Sequence, residues 1–202
     1  MINFGDIKNS NEINTYIKKA DDSLAALGYT EHSFAHVTKA AKEAKEILQK
    51  LGYDERTTEL ASIAGYMHDI GNVVNRIDHA QTGAIMAFRI LDNMGMDVAE
   101  IATVISAIGN HDESTAAPVN EVASALILAD KSDVRRSRVR NRDFSTFDIH
   151  DRVNYSVEKS SLVLNVEGKV IVLFLGRMLL CRKAADYLKL RFKLVINEVE
   201  LL

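Results

Sequence analysis

The sequence predicts a mainly α protein, a helical body carrying a small β-β-α-β appendage, and three observations predict it. From residue 11 to about residue 130, apolar residues recur at spacings of three and four, in segments bounded by capping residues and glycines. From about residue 148 the texture changes to β-branched and aliphatic runs with a period of two. Between the two textures, several apolar helices end on a histidine or an aspartate, which puts polar groups at the mouth of a dry interior. The expected organisation is therefore a helical unit over 1–147 and a small α/β extension over 148–202, packed on it.

The elements follow in order. Over residues 11–27, Ile13, Tyr16, Ile17, Ala20, Leu24 and Leu27 form one face, and Gly28 closes the helix. Thr30 is the expected cap of the next helix, which runs to Leu51 with Val37, Ala40, Ala41, Ala44, Ile47 and Leu48 buried. His36 borders that face, and His32 lies one turn earlier on the same side. Asp54 caps a third helix whose stripe of Leu60, Ile63, Ala64 and Met67 ends in His68-Asp69, with Gly71 as the stop.

Asp78 and Gln81 read as a cap and its partner three positions on, opening a helix with His79 in its first turn and Gly95 at its end. Asp97 and Glu100 repeat that pattern, and Ile101, Val104, Ile105 and Ile108 lead to His111 where the helix gives out. Pro118 and Asn120 open the last helix of the body. Its apolar Val122, Ala125, Leu126 and Ala129 lead into Asp130 and Lys131, and five arginines follow between Arg135 and Arg142. In the extension, residues 153–157 alternate like a strand, 162–164 and 170–175 read as strands around a turn at 166–169, 176–190 as a helix, and 192–199 as a closing strand.

A formal charge of −3 over 202 residues gives no basic field to attract nucleic acid, and the lone Cys181 rules out an internal disulfide framework. A reducing cytoplasm is the expected compartment. There is no basic-then-apolar leader and no apolar run long enough to span a bilayer, so neither membrane nor nucleic acid is an expected partner.

Three His-Asp dipeptides occur, at residues 68, 111 and 150, where composition alone gives about half of one. His150-Asp151 stands where the pattern turns to strands and is read as a coincidence on a solvated edge. His36, His68, Asp69, His79, His111 and Asp130 each fall at an end or face of a different helix or loop, and such side chains converge only in a bundle core. Four imidazoles and two carboxylates suit one or two divalent ions such as Mn, Fe, Co, Ni or Zn, with no thiolates to make a structural cysteine site.

In this order of His, His-Asp, His, His and Asp, residues 32–138 resemble the HD-domain metal-dependent phosphohydrolases. The resemblance matches the family's first His, its doublet and its later Asp to His36, His68, Asp69 and Asp130. It matches the two further histidines of binuclear members to His79 and His111. It implies a helical bundle and hydrolysis of a phosphate ester or anhydride, of a nucleotide or related small molecule, by a metal-bound hydroxide. Asp69 would bridge two ions and act in catalysis with His68. His32, Lys131, Arg135 and Arg138 would contact the substrate, the arginines through their planar fork.

The strings Ala107-Ile108-x-x-His111 and Ala129-Asp130-Lys131 look most like the branch that hydrolyses diadenosine tetraphosphate symmetrically. The chain departs from that branch in its β-rich tail and in Asn72, where a Lys often follows. Other HD-fold activities stay open: a di-iron oxygenase built on the same ligand types, and a non-catalytic nucleotide- or metal-binding regulatory module. A homo-oligomer is compatible with any of these.

Overall fold

The computed structural model describes residues 1–157, 160, 162–167, 170–173, 178–196 and 199–200. The chain opens with α1 (Phe4–Asn9) and α2 (Asn11–Ala26), which share Ser10 as the end of one helix and the cap of the next. The body continues with α3 (Phe34–Lys50), α4 (Glu55–Met67), a 3-10 turn at Ile70–Val73, α5 (His79–Asn93), α6 (Val98–Gly109) and α7 (Glu121–Ser132). Capping by Asp54, Asp97 and Asn120 follows the sequence, each side-chain oxygen accepting from a backbone N–H in the first turn.

Local chemistry departs from expectation at several helix starts. α3 is capped by Ser33 rather than Thr30, so His32 lies in the loop before the helix and not on its face. Asp78 precedes α5 in a left-handed conformation (φ 56°) and makes no side-chain cap. Its expected partner Gln81 turns instead to Gly109 O and Thr115.

Two helices form the centre. α4 is buried at every position from 60 to 67 and α7 at every position from 122 to 132, which marks them as core rather than surface helices. Gly65 permits the close crossing of α3 and α4, because a Cβ there would sit 2.7 Å from Ala41 Cα. Both central helices end in carboxylates, so the core itself delivers acidic groups to one end of the bundle.

Residues 153–157 do not form a strand. Asp148 accepts a hydrogen bond from the backbone N–H of Asp151 and opens α8 (Ile149–Tyr155). Here a helix cap outweighs the alternation of Val153, Tyr155 and Val157. Beyond it, β1 (Leu162–Asn165) pairs antiparallel with β2 (Val170–Leu173), and α9 (Met178–Tyr187) crosses to β3 (Arg191–Ile196), which runs parallel to β2. A short β4 (Val199–Glu200) pairs antiparallel with β3. The second half of the expected turn at 166–169, the 174–176 junction between the expected strand and helix, and residues 197–198 of the expected closing strand lie outside the described residues.

The extension shares the body's hydrophobic core. Cys181, Ala184, Ala185 and Leu188 are buried, and α9 packs against α7. Truncating Leu188 to Ala should therefore lower stability by about 2–5 kcal/mol. Denaturant unfolding checks this, and an unchanged midpoint would mean that α9 contributes no packing to the body. Among the described residues, no helix is long and apolar enough to cross a membrane.

Candidate metal centre

The six expected side chains meet at one end of the bundle, all nearly inaccessible to solvent. His68 caps the C-terminus of α4 and Asp69 follows it. His36 comes from the first turn of α3, His79 opens α5, His111 follows the end of α6, and Asp130 lies in the last turn of α7. The four imidazoles form an edge-to-face chain in the order 36, 68, 111, 79, with ring centroids 5.2, 4.9 and 5.1 Å apart.

Each ring is anchored through its Nδ1–H. The Nδ1–H of His68 donates to Gly65 O (2.9 Å), that of His111 to Ile108 O (2.6 Å) and that of His79 to Arg76 O (3.0 Å). The carbonyl is three residues earlier in every case, and for His68 and His111 it lies in the last turn of a helix. His36 is held differently, its Nδ1–H donating 2.8 Å to the carboxylate of Asp133. All four Nε2 atoms consequently face inward. Those of His36 and His68 are 3.3 Å apart, and those of His79 and His111 are 3.2 Å apart.

Asp69 stands between the two pairs. Its Oδ2 lies 3.0 Å from His68 Nε2 and 3.5 Å from His36 Nε2, while its Oδ1 lies 3.6 Å from His79 Nε2 and 4.0 Å from His111 Nε2. Asp130 Oδ1 joins the first pair at 3.3 Å from His36 and 3.7 Å from His68. Despite these neighbours, Asp69 Oδ2 is buried and forms no hydrogen bond. A carboxylate oxygen left this way is costly unless a cation completes it. Two donor groups, His36/His68/Asp130 and His68/Asp69/His111, are tight enough to hold an ion. Inward lone pairs, second nitrogens bonded elsewhere and an orphaned carboxylate oxygen together fit a borderline divalent cation.

The electrostatics separate the two pairs. Burial disfavours charge on His68, but the Asp69 charge and the close approach of the Asp130 and Asp69 carboxylates outweigh it and raise its pKa to about 10. His36 is also raised. Burial and the Arg138 charge oppose this, and the hydrogen bond to Asp133 with the nearby Asp130 and Asp69 carboxylates prevails. His111 is pushed down to about 3, first by burial and then by the charges on His68 and Lys131, and His79 is lowered by burial. Asp69 and Asp130 sit well below the usual carboxylate range: burial works against their charge, but His68 next to Asp69 and Lys131 next to Asp130 favour it.

Near neutral pH, then, a proton on the His36/His68 pair holds the place a cation would take. Loading an ion there should release about one proton, and the apparent affinity should rise about tenfold per pH unit between pH 6 and 8. Metal titration calorimetry in buffers of different ionisation heat measures this. Uptake without proton release would show that the pair is neutral in the metal-free chain.

Above the cluster lies a cavity of about 360 Å³. Of the four expected substrate contacts, His32 lines it, with its Nδ1–H donated to Thr30 O. Lys131 also lines it, bridging Asp130 Oδ2 (2.5 Å) and Glu113 Oε2 (3.1 Å). The arginines differ from expectation. Arg138 reaches the wall, with its Nε donating to the carbonyl of Glu31 (2.8 Å) and its Nη1 to that of Asp133 (2.7 Å), which braces the loop. Arg135 is not on the cavity wall and pairs with Glu31 and Asp133. His150, read as solvated, lines the cavity from α8 together with Asn154.

Sequence reasoning also passed over three groups. Asp133 orients His36, and hydrogen bonding from His36 with the charges of Arg138 and Lys39 keeps it ionised against its burial. Asn72 donates to Asp69 Oδ1 (2.9 Å). Arg76 lines the cavity beside His79. The spacing Asp130-x-x-Asp133, one helical turn, was the available signal for the first, and Asp69-x-x-Asn72 for the second.

A profile of the family described as the HD domain matches residues 29–152, a stretch that holds all six clustered side chains. An uncharacterized protein of Methanocaldococcus jannaschii is 27% identical over 176 residues, an alignment covering 76% of this chain and 67% of that protein. Among solved structures, that of a predicted HD superfamily hydrolase from an uncultured Thermotogales bacterium shares the fold. It superposes with a TM-score of 0.50 at 24% identity, over 72% of this chain and 82% of that one.

Proposed function

The chain belongs to the HD domain family, and from that premise we propose that its buried cluster is the catalytic centre of a metal-dependent phosphohydrolase acting on a small phosphorylated molecule, a nucleotide or a close relative. The observation that carries this reading is the placement of Asp69, whose two oxygens each face one imidazole pair and one of which has no hydrogen-bond partner. That arrangement supports two ions, one held by His36, His68, Asp69 and Asp130, the other by His79, His111 and Asp69. Divalent ions so held lower the pKa of bound water and screen phosphoryl charge.

The chain's own groups do the rest. Anchored Nδ1–H groups keep four ring nitrogens aimed without reorganisation. Burial of the ligands leaves the cavity as the approach to them, so the reacting phosphate is confined to one side. Lys131 neutralises Asp130 and Glu113, which would otherwise repel an anionic substrate from the wall.

Metal analysis of the purified chain, alongside phosphate release from a panel of nucleotides, dinucleoside polyphosphates and phosphodiesters, tests the proposal. The expected result is one to two divalent ions per chain and metal-dependent phosphate release from at least one class. Symmetric cleavage of a dinucleoside tetraphosphate would assign the branch. Bound iron with a mixed-valence signal and no phosphate release would replace the reading with oxygen chemistry.

A further inference from the structure

Three cationic side chains reach the cavity wall, and they differ in standing: Arg138 is tied to the carbonyls of Glu31 and Asp133. Lys131 is compensated by two carboxylates. Arg76, across the cluster on the His79 side, has Asn72 and His79 as its polar partners and no carboxylate among the described residues. Its Nη1 lies 3.3 Å from Asn72 Oδ1 and 3.2 Å from His79 Nε2. Its guanidinium carbon sits 5.8 Å from the centre of the Tyr29 ring, a cation–π contact at the cavity mouth. Tyr29 is itself placed by the turn that ends α2, where Gly28 takes a positive φ of 82° and the Tyr29 N–H donates to Leu24 O.

Resting on the phosphohydrolase reading above, we propose that Arg76 is the residue that grips the substrate's phosphoryl oxygens, with Tyr29 as the positioning residue behind it. The chemistry follows from the donor count. A guanidinium carries five N–H donors in a planar fork, and among the described residues only those on Nη1 have polar partners. The Nη1 contact to His79 uses a lone pair that an ion on that nitrogen would claim, so a loaded site releases this donor to another acceptor. A phosphoryl group over the cluster offers two oxygens at the spacing of the fork. The uncompensated charge supplies attraction that Asn72, a neutral group, does not.

The test uses the full chain loaded with Mn²⁺, inorganic phosphate as the probe, titration calorimetry for its dissociation constant and elemental analysis for metal content. Arg76→Ala and Arg76→Gln should weaken phosphate binding roughly ten- to a hundredfold with metal content unchanged. Arg76→Lys should fall between them and the wild type, because it restores charge without the fork. Tyr29→Leu should weaken binding by roughly two- to fivefold. Arg89→Ala, on the exposed face of α5, should match the wild type.

Equal phosphate binding by wild type and Arg76→Gln, with phosphate release from the panel intact, overturns the role of Arg76 and leaves the phosphohydrolase reading standing. Loss of metal from both neutral variants overturns it too, since Arg76 would then serve to order His79. A loaded wild type that neither binds phosphate nor releases it from any substrate removes both proposals together.

Discussion

Replacing Asp69 by Ala should reduce phosphate release by roughly a thousandfold or more and strip at least one ion from the chain. The size follows from position: among the described residues this carboxylate alone faces both imidazole pairs, and none of them can take over either oxygen's place. Folding should survive. Asp69 lies past the end of α4 and its Oδ2 makes no hydrogen bond, so the loss is that of a charge and an acceptor for Asn72 rather than of packing. Metal stoichiometry, turnover and thermal unfolding on the same preparation separate these effects. Near wild-type turnover at saturating metal would end the mechanism proposed here.

The second large effect is expected far from any charge. Gly71→Ala should destabilise the chain by about 3 kcal/mol or more and empty the His79/His111 half of the site. A Cβ at residue 71 would stand 2.0 Å from His79 O and 2.5 Å from Gly83 N, both backbone atoms that cannot rotate away. The sequence suggested Gly71 as a helix stop, which is not its role. α4 has already ended at Met67, and the glycine lies within the 3-10 turn at Ile70–Val73, where its missing side chain lets α5 start against the doublet. Relief of the clash can come only by moving α5, and His79 moves with it. Loss of stability with both ions retained would show that the turn and the helix shift as one body.

What could be read from the residues, and what could not, divides along range. The helices of the body were legible because each one writes its own period and most write their own cap: Asp54, Asp97 and Asn120 act within four residues of themselves. The six clustered side chains were legible as a set because a histidine or aspartate beside an apolar stripe is conspicuous one helix at a time. Asp133 was not, since its partner His36 lies 97 positions away and its one local signal, a single turn's spacing from Asp130, does not name that partner. The surroundings of Arg135 and Arg138 were hidden for the same reason. A basic run looks like an anion site, and only the fold shows their charges spent on Glu31, Asp133 and backbone carbonyls. α8 was misread because two patterns competed over seven residues, and a single hydrogen bond from the Asp151 N–H to the Asp148 cap outweighs a few residues of alternation.

The Nδ1–H anchors described above differ in kind, and this difference sets how the centre comes apart. His68, His79 and His111 each take their orientation from a carbonyl three residues back, so their aim is a property of a single turn of chain and persists as long as that turn does. His36 depends on Asp133, which is in turn braced by Lys39, Arg135 and Arg138, and Lys39 and the backbone of Val134 both reach Ser160 in the extension. The His36 side of the cluster is thus wired to the extension, and the His79/His111 side is not. A local opening that frees Asp133 from its braces swings one imidazole out of line and leaves three aimed, so if the proposed centre holds two ions, they should leave in sequence, with the His36 site the first to empty.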